Sequence, residues 1–197
     1  MEARAQSRLL DCAWPMRGER VLDVACGTGL LSIAAATSVR PEGHVIGVDI
    51  SERMIDRARI RAKDRNVSNV SFERMGAENL DLPDAAFDVV LCSLGLMYVP
   101  DPARALREMA RVLRPGGRIA IAVSGERERR GSLGAEGVLA GECANAGFAS
   151  IEEYRIDTTQ WRRGEGCRVL GEFVVARAVA PATARSPVGS TLEKAET

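Results

Sequence analysis

The chain has 197 residues, the length of one ordinary domain, and its 46% hydrophobic and 27% charged residues are typical of a globular protein. Lys and Arg together number 27, as do Asp and Glu, which argues against a large electrostatic footprint for nucleic acid but leaves a local basic patch open. The five cysteines show no CxxC spacing and His44 is the single histidine, which argues against a zinc cluster, and we expect no metal. Because no apolar run is long enough to span a bilayer and no signal-peptide pattern is seen, we expect a cytoplasmic protein with reduced thiols.

Apolar runs alternate with amphipathic segments from the first helix to Val123. Ala3–Cys12 is predicted to be a short helix that ends before Trp14-Pro15. Val21–Ala25 is a brief apolar run that ends at glycines, as a buried strand does. Four more strands are predicted at His44–Asp49, Val70–Arg74, Phe87–Ser93 and Arg118–Val123. Three more helices are predicted at Leu30–Ser38, Glu52–Asp64 with Ser51 as N-cap, and Pro102–Leu113. This alternation predicts parallel βαβ units in a doubly wound, Rossmann-like α/β sheet.

The pattern weakens after Ser124. A charged, glycine-rich stretch at Gly125–Gly134 indicates an exposed loop, and Ala135–Ala146 is predicted to be a helix with Gly147 near its C-cap.

Two extended segments follow, Ala149–Trp161 and Cys167–Val179. They predict an antiparallel strand pair at the C-terminal end of a mostly parallel sheet. Residues 181–197 are rich in Ala, Pro, Ser and Thr without periodicity, which predicts a disordered tail. We therefore expect one domain over residues 1–180.

The most informative segment is the turn Asp23–Gly29, with the sequence DVACGTG. It follows a strand and opens a helix, so its glycines let a ligand approach backbone N–H groups that favour a negative group. Asp49 comes twenty residues after Gly29, at the end of the second strand, where a carboxylate can accept both ribose hydroxyls of an adenosine. The run GTGLLS is one residue from the dinucleotide fingerprint GxGxxG/A. These two features alone therefore leave open a NAD enzyme or a tight turn without a ligand.

Five motifs in register widen this signal. They are VLDVACGTG at 21–29, GVDIS at 47–51 with Met54 and Ala58, AENL at 77–80, FDVV at 87–90 and RVLRPGG at 111–117. From about Arg20 to Val123 the chain resembles the class I S-adenosylmethionine-dependent methyltransferases. The resemblance is greatest to the branch similar to the ubiquinone/menaquinone-biosynthesis enzymes (the methyltransferase type 11 domain). It implies a Rossmann-like fold, S-adenosylmethionine as cofactor and methyl transfer to a small or lipophilic molecule.

The resemblance also implies residue roles. Asp23 would lie near the methionine amino group, the backbone of Ala25–Gly29 would hold the methionine part, and Asp49 would hold the ribose. Ile50 would pack on the adenine, and Ser93 and Leu94, with Gly95, would line the methyl-transfer mouth. The implied cofactor-binding residues are Asp23, Ala25, Cys26, Gly27, Thr28, Gly29, Asp49, Ile50, Met54, Ala77, Glu78, Ser93 and Leu94.

Structural roles stay open for some of these residues. A buried Asp23 could instead be satisfied by nearby backbone. Met54 is at core spacing, and Cys26 and Cys92 fit as small buried residues.

Three departures from the family pattern stand out. Ala25 replaces a common glycine, and Gly76 stands where relatives carry an Asp that binds the adenine amino group. The helical segment before the first strand and the insertion after the fifth, which cover the site in relatives, are reduced here. We therefore expect an unusually open site, covered by self-association as a homodimer or by a partner protein.

No catalytic residue is assigned from the sequence. Transfer from a sulfonium is an in-line displacement that needs alignment and exclusion of water more than a base. His44 lies at the start of a strand, far from the expected mouth. Tyr98 and Glu126 follow the fourth and fifth strands, at the end where ligands bind, and fit a role in the reaction or a surface role equally well.

The leading hypothesis is an S-adenosylmethionine-dependent methyltransferase with a small-molecule substrate and no nucleic-acid partner or membrane span. The alternatives are a non-catalytic methyltransferase-like module that binds cofactor or a partner, and a NAD-binding oxidoreductase.

Overall fold

A seven-stranded sheet in the order β3-β2-β1-β4-β5-β7-β6 organises the molecule. The computed structural model describes residues 9–125, 137–157 and 172–180. The strands are β1 (Arg20–Val24), β2 (His44–Asp49), β3 (Val70–Arg74), β4 (Phe87–Ser93), β5 (Leu113–Gly125), β6 (Ala149–Asp157) and β7 (Glu172–Val179). The helices are α1 (residues 9–13), α2 (Leu30–Ser38), α3 (Glu52–Asp64), α4 (Pro102–Val112) and α5 (Val138–Asn145), with a 3₁₀ turn at Leu96–Tyr98.

The order of the parallel strands reverses at β1. The chain lays β2 and β3 on one side of β1 and then returns to its other side with β4 and β5. Asp23 of β1 is level with Gly47 of β2 and with Leu91 of β4. In open α/β sheets, ligands bind beyond the carboxyl ends of the strands at such a reversal. A ligand site is therefore expected at the carboxyl ends of β1, β2 and β4.

Beyond β5 the pairing changes direction. β7 runs antiparallel to both β5 and β6, so the last two strands extend one edge of the sheet. The predicted ends of these segments at Trp161 and Cys167 lie outside the described residues, as do most of the predicted loop at Gly125–Gly134 and the predicted tail at 181–197.

Apolar side chains cover both faces of the sheet. Along β5, Ile119, Ile121 and Val123 pack in one buried cluster, whereas Ala120 and Ala122 pack in another. The first cluster includes Leu106 and Met109 of α4, and the second includes Leu31 and Ala35 of α2. This alternation is the two-layer cover expected of a doubly wound sheet. Across the described residues, no helix has both the length and the apolar character needed to cross a membrane.

Most predicted bounds in the parallel half are confirmed. β2, β3, β4, α2 and α3 begin and end at the predicted residues. Ser51 is the N-cap of α3, but its hydroxyl makes no capping hydrogen bond.

Four bounds are corrected. The first helix reaches residue 13, one beyond the predicted end; its predicted start at Ala3 lies outside the described residues. β1 ends at Val24, since Ala25 adopts a left-handed φ of 57° that a strand does not allow. Within the described residues α5 begins at Val138, after the left-handed Gly137 at its N-cap.

The fourth correction concerns the junction of α4 and β5. The prediction placed Leu113 in the helix and began the strand at Arg118. Leu113 is instead extended, with ψ of 135°, and is level with Phe87 of β4. The register between β4 and β5 shifts between Phe87 and Val89, so the strand absorbs Pro115 and the two glycines as an irregularity.

The amino end of the sheet is closed by a buried ion pair. Arg118 Nη2 lies 2.7 Å from Glu19 Oε2, and both side chains are largely buried. Arg118 also donates to the carbonyl oxygens of Ala13, at 2.5 Å, and of Trp14. Burial opposes ionisation of Glu19, but hydrogen bonds from Arg118 and the Met16 N–H hold the pKa of its carboxyl below the ordinary value. This network anchors the segment before β1 at the end of the sheet opposite the carboxyl ends of the parallel strands.

Candidate functional site

A turn rich in left-handed residues follows β1. Ala25, Gly27 and Gly29 have φ of 57°, 55° and 75°, and Gly29 is the N-cap of α2. The turn is joined to β2 by a hydrogen bond from the Cys26 N–H to the Val48 oxygen at 2.9 Å. The N-terminus of α2 therefore opens at the carboxyl edge of the sheet, where unpaired N–H groups favour an anion.

The glycine turn is open at Gly27 and packed against the protein at Gly29. A Cβ built on Gly27 meets no described atom within 4 Å. A Cβ on Gly29 would come within 2.8 Å of the Phe72 ring and 2.9 Å of Ala58 Cβ. Among the described residues, the backbone of the turn is therefore open to a ligand at Gly27 and closed at Gly29.

Asp49, at the end of β2, is held from two sides. Its Oδ2 accepts the Gly27 N–H and its Oδ1 accepts the Ser51 N–H, each at 2.9 Å. Each carboxylate oxygen can accept more than one hydrogen bond, so both keep acceptor capacity after these contacts. The carboxylate is fixed in place beside the glycine turn and can still accept two hydroxyl groups.

Asp23 is a buried carboxyl with an incomplete set of partners. It is 1% exposed, and Ser32 of α2 donates its hydroxyl to Asp23 Oδ2 at 2.5 Å. Asp23 Oδ1 has no hydrogen-bond partner in the described part of the chain. Burial raises the pKa of Asp23 to about 7, against the opposing effect of the Ser32 hydrogen bond. A buried acceptor without a donor is destabilising, so the site suits a ligand that brings a positively charged donor to Oδ1.

The end of β3 contributes the next group of predicted residues. The Met75 N–H donates to the backbone carbonyl oxygen of Asp49 at 3.1 Å, which joins this segment to β2. Ala77 is half-buried, and Glu78 Oε1 accepts the Asp101 N–H at 2.9 Å. Glu78 thus already has a partner at the start of α4.

Gly76 does not need to be glycine for conformational reasons. Its φ lies outside the left-handed region, and an added Cβ would meet no atom of the described residues within 4 Å. A larger side chain at this position is therefore sterically acceptable.

Two predicted cofactor contacts are surface features of the β2–α3 corner. The Ile50 side chain is 72% exposed immediately after β2. Met54 is half-buried in the first turn of α3, so it is not a fully buried core residue. Together they offer apolar surface beside the fixed carboxylate of Asp49.

The end of β4 completes the edge. Ser93 and Leu94 are half-buried, and Leu94 has a left-handed φ of 58° with its N–H bonded to the Ala122 oxygen at 2.8 Å. A Cβ on Gly95 would overlap the Ala25 methyl group, so Gly95 makes room for Ala25. Tyr98, 81% exposed, follows in the 3₁₀ turn.

The remaining candidate residues either lie away from this edge or are thiols that stay protonated. His44 is exposed at the amino end of β2, 3.2 Å from Ser71 Oγ. Burial raises the pKa of the Cys92 thiol to about 12 and raises the pKa of Cys26 as well, so both stay protonated. Glu126 lies outside the described residues. In the ranges that the structure describes, no group of three or more His, Cys, Asp or Glu could hold a metal ion.

Sequence reasoning did not single out Ser32 or Arg61. Ser32 lies in the GTGLLS run, and its position three residues after Gly29 was its only signal. Arg61 of α3 donates to Thr28 of the turn from 33 residues away, which no local pattern reveals.

The sequence profile of the family described as "Methyltransferase domain" matches residues 16–151, more than half of the chain and every element of this edge. The chain belongs to this methyltransferase-domain family. The match favours the methyltransferase interpretation over a NAD-binding oxidoreductase.

Similar proteins agree with this family. The chain is 46% identical over 104 residues to a demethylmenaquinone methyltransferase of Listeria welshimeri, covering 53% of this chain and 44% of that protein. It is 42% identical over 114 residues to an aklanonic acid methyltransferase of Streptomyces, covering 58% and 52%. This methyltransferase-domain chain therefore spans about half the length of these curated relatives.

Solved structures show the same fold. A SAM-dependent methyltransferase from Aquifex aeolicus matches with a TM-score of 0.72 at 20% identity, covering 89% of each chain. The [4+2]-cyclase SpnF matches with a TM-score of 0.75 at 24% identity, covering 91% of this chain and 82% of that one.

Proposed function

We propose that this chain is an S-adenosylmethionine-dependent methyltransferase whose acceptor is a small, lipophilic molecule of the quinone or polycyclic aromatic kind. The observation that carries the proposal is the pair of carboxyl groups at the strand reversal. Asp23 is buried with an unpartnered oxygen, and Asp49 is fixed beside the open face of Gly27. A cofactor with an ammonium at one end and a ribose nearby matches this pair.

When bound, the cofactor supplies a methyl group already activated by its sulfonium. Asp23 Oδ1 would accept from the cofactor ammonium, and the positive end of α2 would hold its carboxylate. Asp49 would accept from the ribose hydroxyls through the acceptor capacity left by Gly27 and Ser51. Ile50 would cover one face of the adenine.

The acceptor would enter at the end of β4. Ser93–Gly95 lies next to the glycine turn through the contact between Gly95 and Ala25, and Tyr98 presents an exposed ring just beyond. Aromatic rings stack well on flat conjugated acceptors. Burial keeps the Cys26 and Cys92 thiols protonated, and Asp23 and Asp49 are already assigned to the cofactor. We therefore assign the chain the role of aligning the acceptor and excluding water.

The acceptor class rests on two relatives, one named a demethylmenaquinone methyltransferase and the other an aklanonic acid methyltransferase. We further propose that a second copy or a partner protein covers the mouth. The support is the sequence, in which residues 126–137 connect β5 to α5 in place of the longer insertion that the family resemblance leads us to expect.

Methyl transfer from labelled S-adenosylmethionine to a panel of demethylated quinols and hydroxylated polycyclic aromatics tests the proposal. We expect label in an organic-extractable product with the wild type and at least about tenfold less with Asp49→Ala. Arg57→Ala, an exposed change on α3, is the matched control and should transfer label normally. Cofactor binding without transfer to any panel member would favour the non-catalytic module instead.

A further inference from the structure

Arg61 of α3 contacts the glycine turn (Ala25–Gly29) on the side that faces α3. Arg61 Nη1 donates to the Thr28 carbonyl oxygen at 2.7 Å and makes a second, short contact with Thr28 Oγ1. Both acceptors belong to a single residue, and that residue lies between the left-handed Gly27 and Gly29. The contact therefore fixes the middle of the turn.

The rest of the turn is held at its ends. The Gly27 N–H is bonded to Asp49, and Gly29 is packed against Phe72 and Ala58. Glycines have more backbone freedom than any other residue, so the Thr28–Gly29 peptide can rotate unless its polar groups are held. Its N–H, which belongs to Gly29, donates to the Cys26 carbonyl oxygen at 3.0 Å. Arg61 holds that peptide by its carbonyl, and a planar guanidinium loses little freedom in doing so.

Neighbouring arginines do not duplicate this role. Arg59 pairs with Glu52 and Asp56 and donates to the Phe72 carbonyl oxygen at 3.0 Å. Arg57 is exposed on the same helix.

We propose that Arg61 is a positioning residue for the cofactor, acting through Thr28. By fixing the Thr28 peptide it keeps the Gly27 face and the first N–H groups of α2 directed at the ligand. The inference rests on the proposed function, because the ligand whose affinity it governs is S-adenosylmethionine.

Calorimetric titration with S-adenosylhomocysteine, on variants shown to be folded at the titration temperature, tests the idea. Arg61→Ala should weaken binding about tenfold, as expected for loss of a charged hydrogen-bond donor. Arg61→Lys should restore part of the affinity, because an ammonium can reach one of the two acceptors. Arg57→Ala removes a charge from the same helix and should bind within about twofold of the wild type.

A double-mutant cycle separates positioning from general support of the fold. Thr28→Val keeps the carbonyl and removes the hydroxyl, so it should weaken binding less than Arg61→Ala. If Arg61 acts through Thr28, the double variant should bind about as well as Arg61→Ala alone. Hydrogen exchange of the bonded amides of Gly27 and Gly29 should speed up in Arg61→Ala and match the wild type in Arg57→Ala.

Three results overturn the inference. They are wild-type affinity in a folded Arg61→Ala, an equal loss in Arg57→Ala, and fully additive effects of Arg61→Ala and Thr28→Val. If Arg61→Ala does not fold, Arg61→Lys and Thr28→Val decide, and wild-type affinity in both refutes it. A wild type that does not bind S-adenosylhomocysteine refutes the proposed function as well, whereas the other outcomes leave that function standing.

Discussion

The two glycines of the turn are expected to fail in different ways when each is changed to alanine. Gly27 and Gly29 share a left-handed backbone, so both substitutions introduce strain. Only at Gly29 would the new methyl group collide with the protein, with Phe72 and Ala58 on the packed side. At Gly27 it would project into the open space proposed for the cofactor.

The expected losses of unfolding free energy and of ligand affinity follow from these surroundings. A left-handed alanine costs about 1–2 kcal/mol, which is the whole expected loss of unfolding free energy for Gly27→Ala. Gly29→Ala adds overpacking at 2.8 Å and 2.9 Å, for which about 1–3 kcal/mol is typical, giving a total of about 2–5 kcal/mol. Binding should respond in the opposite order. Gly27→Ala should weaken S-adenosylhomocysteine at least about tenfold, since even a 1.4 kcal/mol clash suffices.

Gly116→Ala is the matched control. Its φ of 76° imposes the same strain, its Cβ meets no described atom within 4 Å, and it lies at the amino end of β5, away from the site. Urea unfolding and calorimetry on the three variants give both quantities. We expect Gly116→Ala to match Gly27→Ala in stability and the wild type in affinity. Wild-type affinity in Gly27→Ala would show that no ligand approaches this backbone, and the assignment of the turn would be wrong.

Three further predictions use the neighbouring residues. Gly76→Asp should tighten S-adenosylmethionine by about 1 kcal/mol, or about fivefold, by accepting from the adenine amino group. The gain should vanish with an analogue that lacks the amino group, and weaker binding would place the adenine elsewhere. Asp49→Ala should lose about 1.5–3 kcal/mol of binding free energy without unfolding, and unchanged calorimetry would make Asp49 only a strand-end acid. Burial raises the pKa of Asp23 from 3.8 to about 7, so the folded protein holds a proton that the unfolded chain releases between those values. The free energy of unfolding should therefore fall as pH rises through this window, by up to about 1.4 kcal/mol per unit. Asp23→Asn should flatten that fall, and a pH profile parallel to that of the wild type would contradict it.

Sequence reasoning located the parallel half of the fold because local signals mark its elements. β2, α3 and β4 are continuous or periodic runs bounded by turn residues, and their bounds need no knowledge of the partner strands. The start of β5 was misplaced because it depends on pairing with β4. Pro115 and the two glycines after it predict a turn between helix and strand. Leu113 nevertheless pairs with Phe87 of β4, and a register shift accommodates the proline and glycines.

The grouping of the candidate site residues could be predicted only in part, and their roles stay a prediction. Asp49 and the glycine turn follow strand ends, and parallel topology brings such ends together whatever the sequence between them. The partners that hold them did not emerge, because Ser32 meets Asp23 and Arg61 meets Thr28 only after α2 and α3 pack. Nor did the sequence indicate that Ala25 would adopt a left-handed conformation, with Gly95 giving its methyl group space.

The central claim is that the carboxyl edge around Asp23, Gly27 and Asp49 binds S-adenosylmethionine. Thermal unfolding with S-adenosylhomocysteine and, separately, with NAD tests it most directly. At one hundred times its dissociation constant a ligand stabilises the folded state by about 2.7 kcal/mol. For a chain of 197 residues that corresponds to a rise in Tm of about 5–10 °C. The account predicts this rise with S-adenosylhomocysteine, a rise about half as large or smaller in Gly27→Ala at the same ligand concentration, and no rise with NAD. An equal rise with NAD, or none with S-adenosylhomocysteine, would contradict it.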